Sequence, residues 1–219
     1  MKQENRARYA LARAGALVIA VIAAFAPATA SAGANAPLAE YQYSYEDGLQ
    51  GWTPKTDQDT GTPECSPHAS EVVHSDDRAK DGTHSVNFRA DGTHDCGLLW
   101  IERRFDAGTT DPVQVALTLS LYSEDTGDAG AGGLNRVQAH VGADCVTDPV
   151  LGGSGWDGFH DIAPTSHTGG PGWYGYYFKH NQVTPAADGT VCVGQAVKIA
   201  STYPFVIDYY LDETTVTIS

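Results

Sequence analysis

Basic residues are scarce in this chain, with 13 Lys and Arg against 27 Asp and Glu and a formal net charge of −14. Nothing is left over to neutralise a phosphate backbone, which excludes a nucleic-acid-binding role on electrostatic grounds. The same deficit disfavours anionic membrane surfaces. Cysteine is limited to four residues, and the close CxxC or HxxxH spacing of a zinc module is missing. After residue 32 no apolar run approaches the roughly 20 residues of a membrane span. No stretch there keeps helical apolar periodicity over three turns either. A nucleophile elbow is lacking as well, since Gly152-Gly153-Ser154-Gly155-Trp156 does not supply the final Gly of G-x-S-x-G.

The uncharged apolar stretch that the chain does have lies at its start. Residues 1–13 carry Lys2, Arg6, Arg8 and Arg13 against Glu4, residues 14–26 are apolar, and residues 27–32 are mostly small. That order predicts a signal peptide over 1–32, hence a secreted protein with no membrane insertion. A short linker over 33–40 and one domain over 41–219, acting as a monomer, are expected to follow. The signal segment takes four of the 13 basic and one of the 27 acidic residues, so 9 against 26 remain and the net charge falls near −17. Such acidity serves solubility before anything else. In an oxidising compartment the four cysteines, Cys65, Cys96, Cys145 and Cys192, are expected to form two disulfides. Three pairings are open, and joining neighbours in sequence (65 with 96, 145 with 192) closes the shorter loops.

What the rest of the chain holds in quantity is alternation. From Val113 to Tyr122 every odd position is apolar and the even ones are mostly polar, the mark of a strand with one dry face. Val137, Ala139 and Val141 repeat it, with Arg136, Gln138 and His140 on the other side, and further strands are expected at 191–193, 206–211 and 216–218. Asp-Gly and Gly-Gly pairs punctuate these runs, at 81–82, 91–92, 132–133, 152–153, 169–170 and 188–189. The pattern predicts an all-β, antiparallel β-sandwich. Two DGTH units, at 81–84 and 91–94, read as successive turns around one strand, and the evenly spaced His74, His84 and His94 as hydrogen-bonded or solvated side chains.

Both ends of the domain combine aromatic strands with paired acids: Tyr45-Glu46-Asp47-Gly48 with Gly51-Trp52, and Tyr209-Tyr210-Leu211-Asp212-Glu213-Thr214. Acids so far apart in sequence can share a site only if the first and last strands are neighbours. Together with the middle element Gly82-Thr83-His84-Ser85-Val86, these motifs resemble the galactose-binding-like jelly rolls, a group that includes many carbohydrate-binding modules of secreted glycosidases. The resemblance implies a structural calcium held by Glu46, Asp212 and carbonyls around Asp81 to His84. Calcium takes six to eight oxygen ligands in irregular geometry, which suits a staple between strand ends. Whether Asp212 or Glu213 points inward is left open.

The resemblance also implies a non-catalytic module that binds carbohydrate or a surface glycan. A sugar needs an aromatic platform with hydrogen-bonding side chains around it. The candidates are Trp156 and Trp173 in or beside Gly-rich loops, Tyr122, and the polar face of Arg136, Gln138 and His140, while Trp52 and Trp100 are expected in the core. Of these Trp156 is the first choice for an exposed platform. Two alternatives stand beside this one. Glu102-Arg103-Arg104, Gln138-Ala139-His140 and Tyr177-Phe178-Lys179 are similar to the strands of jelly-roll polysaccharide lyases that act on uronate polymers, with Gln138 neutralising a carboxylate and His140 and Tyr177 moving protons. The other alternative is a purely structural or adhesion domain.

Overall fold

Apolar alternation becomes eleven strands in the computed structural model, which describes residues 38–57, 70–91, 97–124, 135–146, 156–162, 171–199 and 206–219. No α-helix occurs among the described residues, and all of them fall in one unit, Asn35–Ser219. The strands are β1 (Ala39–Tyr43), β2 (Thr53–Thr56), β3 (Ser70–Ser75), β4 (Ser85–Asp91), β5 (Leu98–Asp106), β6 (Val113–Ser123), β7 (Arg136–Gly142), β8 (Trp156–Asp161), β9 (Gly172–Val183), β10 (Thr190–Lys198) and β11 (Val206–Ile218). One sheet runs β3-β4-β11-β6-β9 with β1 also on β11, and the other runs β2-β5-β10-β7-β8. Every pairing is antiparallel. β1 begins at Ala39, inside the expected linker, and the Leu38 N–H already donates to the Ile218 carbonyl at 2.7 Å.

The core lies between the sheets. Leu117, Leu119 and Leu121 of β6, Val86 and Phe88 of β4 and Tyr209 and Leu211 of β11 meet Leu99, Ile101, Val193 and Val197 from the facing sheet. Trp52 is buried as expected, edge-on to Tyr43 and Phe105. Within this apolar layer sits one closed polar ring. The Tyr45 hydroxyl donates to Thr214 Oγ1 (2.8 Å), Thr214 donates to Gln195 Oε1 (3.1 Å), and Gln195 Nε2 donates back to the Tyr45 oxygen (2.9 Å). Each polar atom finds its partner inside the ring, which is the condition for burying such groups without penalty. Burial pushes the Tyr45 phenol well above its usual range.

Part of the outer face of the five-stranded sheet is buried too. Leu98, Trp100, Trp156 and Ala196 form a second apolar cluster there. The run Leu98–Ile101 is apolar at every position, which a strand covered on both faces requires.

β11 is where the two chain ends come together. Its first half pairs with β4 (Leu211 opposite Val86) and its second half with β1 (Thr214 opposite Tyr43). Between them is a bulge at Asp212 to Thr215, with Glu213 at φ 50°. A bulge inserts a residue and so reverses which parity faces inward. Ile207, Tyr209 and Leu211 face the core before it, Val216 and Ile218 after it. Two strands read separately from the sequence are therefore one. The Cys145–Cys192 disulfide is present, with Cα atoms 5.0 Å apart; Cys65 and Cys96 lie outside the described residues, as do residues 92–94 of the second DGTH unit.

Candidate functional site

The break in β11 is filled by the turn between β3 and β4, and the terminal acids grip it. Asp212, fully buried, accepts the N–H groups of Lys80 (2.8 Å) and Asp81 (3.1 Å) on Oδ2 and that of Glu213 (2.7 Å) on Oδ1. Glu46 accepts the Thr83 N–H on both oxygens (3.0 Å each), the His84 N–H (2.9 Å) and the Thr83 hydroxyl (3.0 Å). Gly82 lies directly on the Glu46 carboxyl at φ 68°, and a Cβ there would come within 2.4 Å of it. Desolvation raises the Asp212 pKa against its N–H donors, whereas the His84 and Thr83 N–H groups lower that of Glu46. Asp212 is the inward acid. Glu213 is exposed and pairs with the Lys80 ammonium, which also donates to Ser120 Oγ at 3.0 Å.

So Glu46, Asp212, Asp81 and His84 converge as expected, but the polarity differs from the expectation. A turn through a left-handed glycine presents successive N–H groups inward and makes an anion-binding concavity. Residues 80–84 therefore offer donors, not carbonyls, to the two carboxylates, and almost every lone pair is taken. A groove of about 500 Å³ beside the clasp is lined by Gln42, Ser44, Asp81 and Glu213, and Lys80 holds its Glu213. As arranged, these residues do not fit a calcium ion. Among the described residues, the group of three potential ligand atoms within 4.8 Å is Glu102, Cys145 and Cys192, and its two cysteines are bonded to each other. His74 and His84, ten residues apart in sequence, stack at 4.6 Å with His74 Nε2 2.7 Å from the Tyr45 carbonyl.

The expected ligand-binding residues divide between the two outer faces of the sandwich. Arg136, Gln138 and His140 of β7 and Trp156 of β8 are on the five-stranded sheet. Gln138, His140 and Trp156 are buried there, at 2%, 4% and 6% exposure. Trp156 is no exposed platform: its register opposite His140 sets it edge-on against Trp100 at 6.2 Å and beside the His140 ring at 5.8 Å. His140 Nε2 is 2.7 Å from the Asp144 carbonyl oxygen, so its ring is fixed to its own loop. Tyr177 belongs to the other sheet and is 53% exposed. Gln138, His140 and Tyr177, which a lyase would need around one sugar, are thus not brought together.

Tyr122 and Trp173, in contrast, are neighbours. The register aligns Asn87, Tyr210, Tyr122 and Trp173 in one row across β4, β11, β6 and β9. The Tyr122 ring is 5.6 Å from Trp173 and 6.2 Å from Tyr210, both edge-on. Arg78 lies over Tyr122 at 3.9 Å and is held by Glu124 at 3.0 Å. Asn87 donates to Asp208 at the far end of the row. Rings with hydrogen-bonding groups at their rim can take a molecule that has an apolar face and a polar edge. Arg78 and Tyr210 were not among the sequence candidates; the parity of Tyr210 against Tyr209 was the available signal.

No family model and no curated protein matches the sequence. Several solved structures are similar to it. One holds carbohydrate-binding modules of promiscuous specificity from the β-sandwich superfamily (12% identity, TM-score 0.46, 78% of this chain); the chain spans 58% of its length. A mannan-recognising module, TmCBM27, is 12% identical with a TM-score of 0.47, over 84% of this chain and 96% of that one. The K1 cleaved adhesin domain of Lys-gingipain from Porphyromonas gingivalis W83 is also 12% identical at 0.47, over 81% and 97%. The fold is an antiparallel β-sandwich. No helix among the described residues is long and apolar enough to cross a membrane.

Proposed function

We propose that this is a secreted, non-catalytic carbohydrate-binding module, exported by the signal segment at 1–32, and that its ligand lies on the outer face of the six-stranded sheet. The observation that carries the reading is the cross-strand pair Tyr122 and Trp173, half-buried rings with an Arg78–Glu124 ion pair above them. Pyranose rings have apolar faces and hydroxyl rims, so an indole supplies the stacking surface while guanidinium and carboxylate groups take the hydroxyls. Because Arg78 is matched by Glu124, the surface favours a neutral sugar over a uronate. The burial of Gln138 and His140 weighs on the same side, against a lyase.

The test is retention of the purified chain on neutral polysaccharides in native affinity gels, with galactomannan, xylan, hydroxyethylcellulose and laminarin as probes. Trp173→Ala is expected to abolish retardation while leaving the melting temperature within a few degrees, since the ring is at the surface. Failure of every probe to retard the wild-type chain would sink the reading.

A further inference from the structure

Along β9 the residues that share the outer face are Trp173, Gly175, Tyr177 and Lys179, opposite Tyr122, Ser120, Thr118 and Ala116 of β6. Trp173 and Tyr177 therefore stand four residues apart, about 13 Å at the rise of a strand, with no side chain between them. Gly175 is exposed, and a Cβ built there meets nothing within 4 Å. A glycine inside a strand lowers its stability and often marks a place where another molecule approaches the backbone. Ser120 and Lys80 form the floor on the β6 side, and Lys80 is neutralised by Glu213.

We infer that this lane binds an extended, neutral, β-linked polysaccharide chain running parallel to β9, with one sugar ring on Trp173, another on Tyr177 and an intervening one over Gly175. The inference rests on the reading just given and extends it from a single platform to a chain-length requirement. A straight lane along a strand suits a ribbon-like polymer, whereas a helical glucan would curve away from the second ring. The span is roughly that of a trisaccharide, so a monosaccharide or disaccharide reaches only one ring. Arg78 and Lys80, the cations at the Trp173 end of the lane, are each paired with an acid of the same domain, so that end favours a neutral polymer over an anionic one, while exposed Lys179 lies beyond Tyr177.

The experiment uses the purified chain, the neutral polysaccharide that retards it most, and its disaccharide and hexasaccharide in titration calorimetry. The hexasaccharide is expected to bind at least tenfold tighter than the disaccharide. Tyr177→Ala should remove that advantage, while Trp173→Ala weakens both. Gly175→Leu projects a side chain into the lane from a position where a Cβ meets nothing within 4 Å, and should lower hexasaccharide affinity at least tenfold at an unchanged or raised melting temperature. Equal affinity for the two sugars, or a Gly175→Leu chain that binds the hexasaccharide as wild type does, overturns the lane but leaves the module reading standing if Trp173→Ala still abolishes retention. Retention that survives Trp173→Ala as well overturns both.

Discussion

Gly82 and Gly108 have nearly the same left-handed backbone, φ 68° and 69°, in different surroundings. A Cβ at Gly108 meets nothing within 4 Å, whereas one at Gly82 falls 2.4 Å from the Glu46 carboxyl. Gly108→Ala should cost only the left-handed penalty, about 1–2 kcal/mol. Gly82→Ala adds the displacement of the carboxylate, which strips the Thr83 and His84 N–H groups of their acceptor. A donor left unmatched is worth about 1–3 kcal/mol more. With about 2–4 °C per kcal/mol for a domain of this size, the middle of each range gives expected falls in melting temperature of about 3–6 °C at 108 and about 7–14 °C at 82. Calorimetry on the two variants checks this, and the same pair in a Glu46→Ala background should show equal losses. Equal losses in the wild-type background would refute the clasp, because the carboxylate would then contribute nothing to holding the turn.

The clasp also predicts that chelation with EDTA, followed by added calcium, moves the melting temperature by less than about 2 °C; a fall of several degrees would restore the cation expected at Glu46 and Asp212. Tyr45→Phe opens the buried ring with Thr214 and Gln195 and leaves the Gln195 amide without its acceptor, for a loss of about 2 kcal/mol or 4–8 °C in thermal melting. Lys198, buried on the outer face of the five-stranded sheet, has its pKa lowered by desolvation from 10.5 to about 8, with the charge of Asp57 pulling the other way. The unfolded chain then binds more protons than the folded one between these values, so urea-denaturation stability should rise with pH across that window, by about 1–2 kcal/mol, and Lys198→Met should flatten the rise.

Strand existence was legible because period-two alternation has one physical cause, a sheet with a dry face, and β6 follows it, while β7 alternates in sequence although nearly all of it is buried. The meeting of the termini was legible from the acids at both ends. The polarity of the turn they grip was not, since whether residues 80–84 present N–H or C=O depends on the sign of one glycine's φ. Which acid turns inward depends likewise on a bulge that sequence spacing does not announce. The polar face of β7 was misleading for a different reason. Arg136, Gln138 and His140 alternate like a solvated surface, yet they share their sheet face with Leu98 and Trp100, and the apolar doublets of β5 were the signal that this face is covered. Trp156 sits in a glycine-rich segment whose composition implies exposure, and only its register against His140 places it under cover.

Ala39 pairs with Ile218, and Gln114 exchanges backbone hydrogen bonds with Ser219, so β1 starts and β11 finishes at the same pole of the sheet. Trp173, opposite Tyr122, stands near the other pole of β6. A tag, linker or bead coupled at either extremity of the folded body would project away from the indole, so the domain can be tethered by its tails with the sugar-facing rings left free to sample their surroundings.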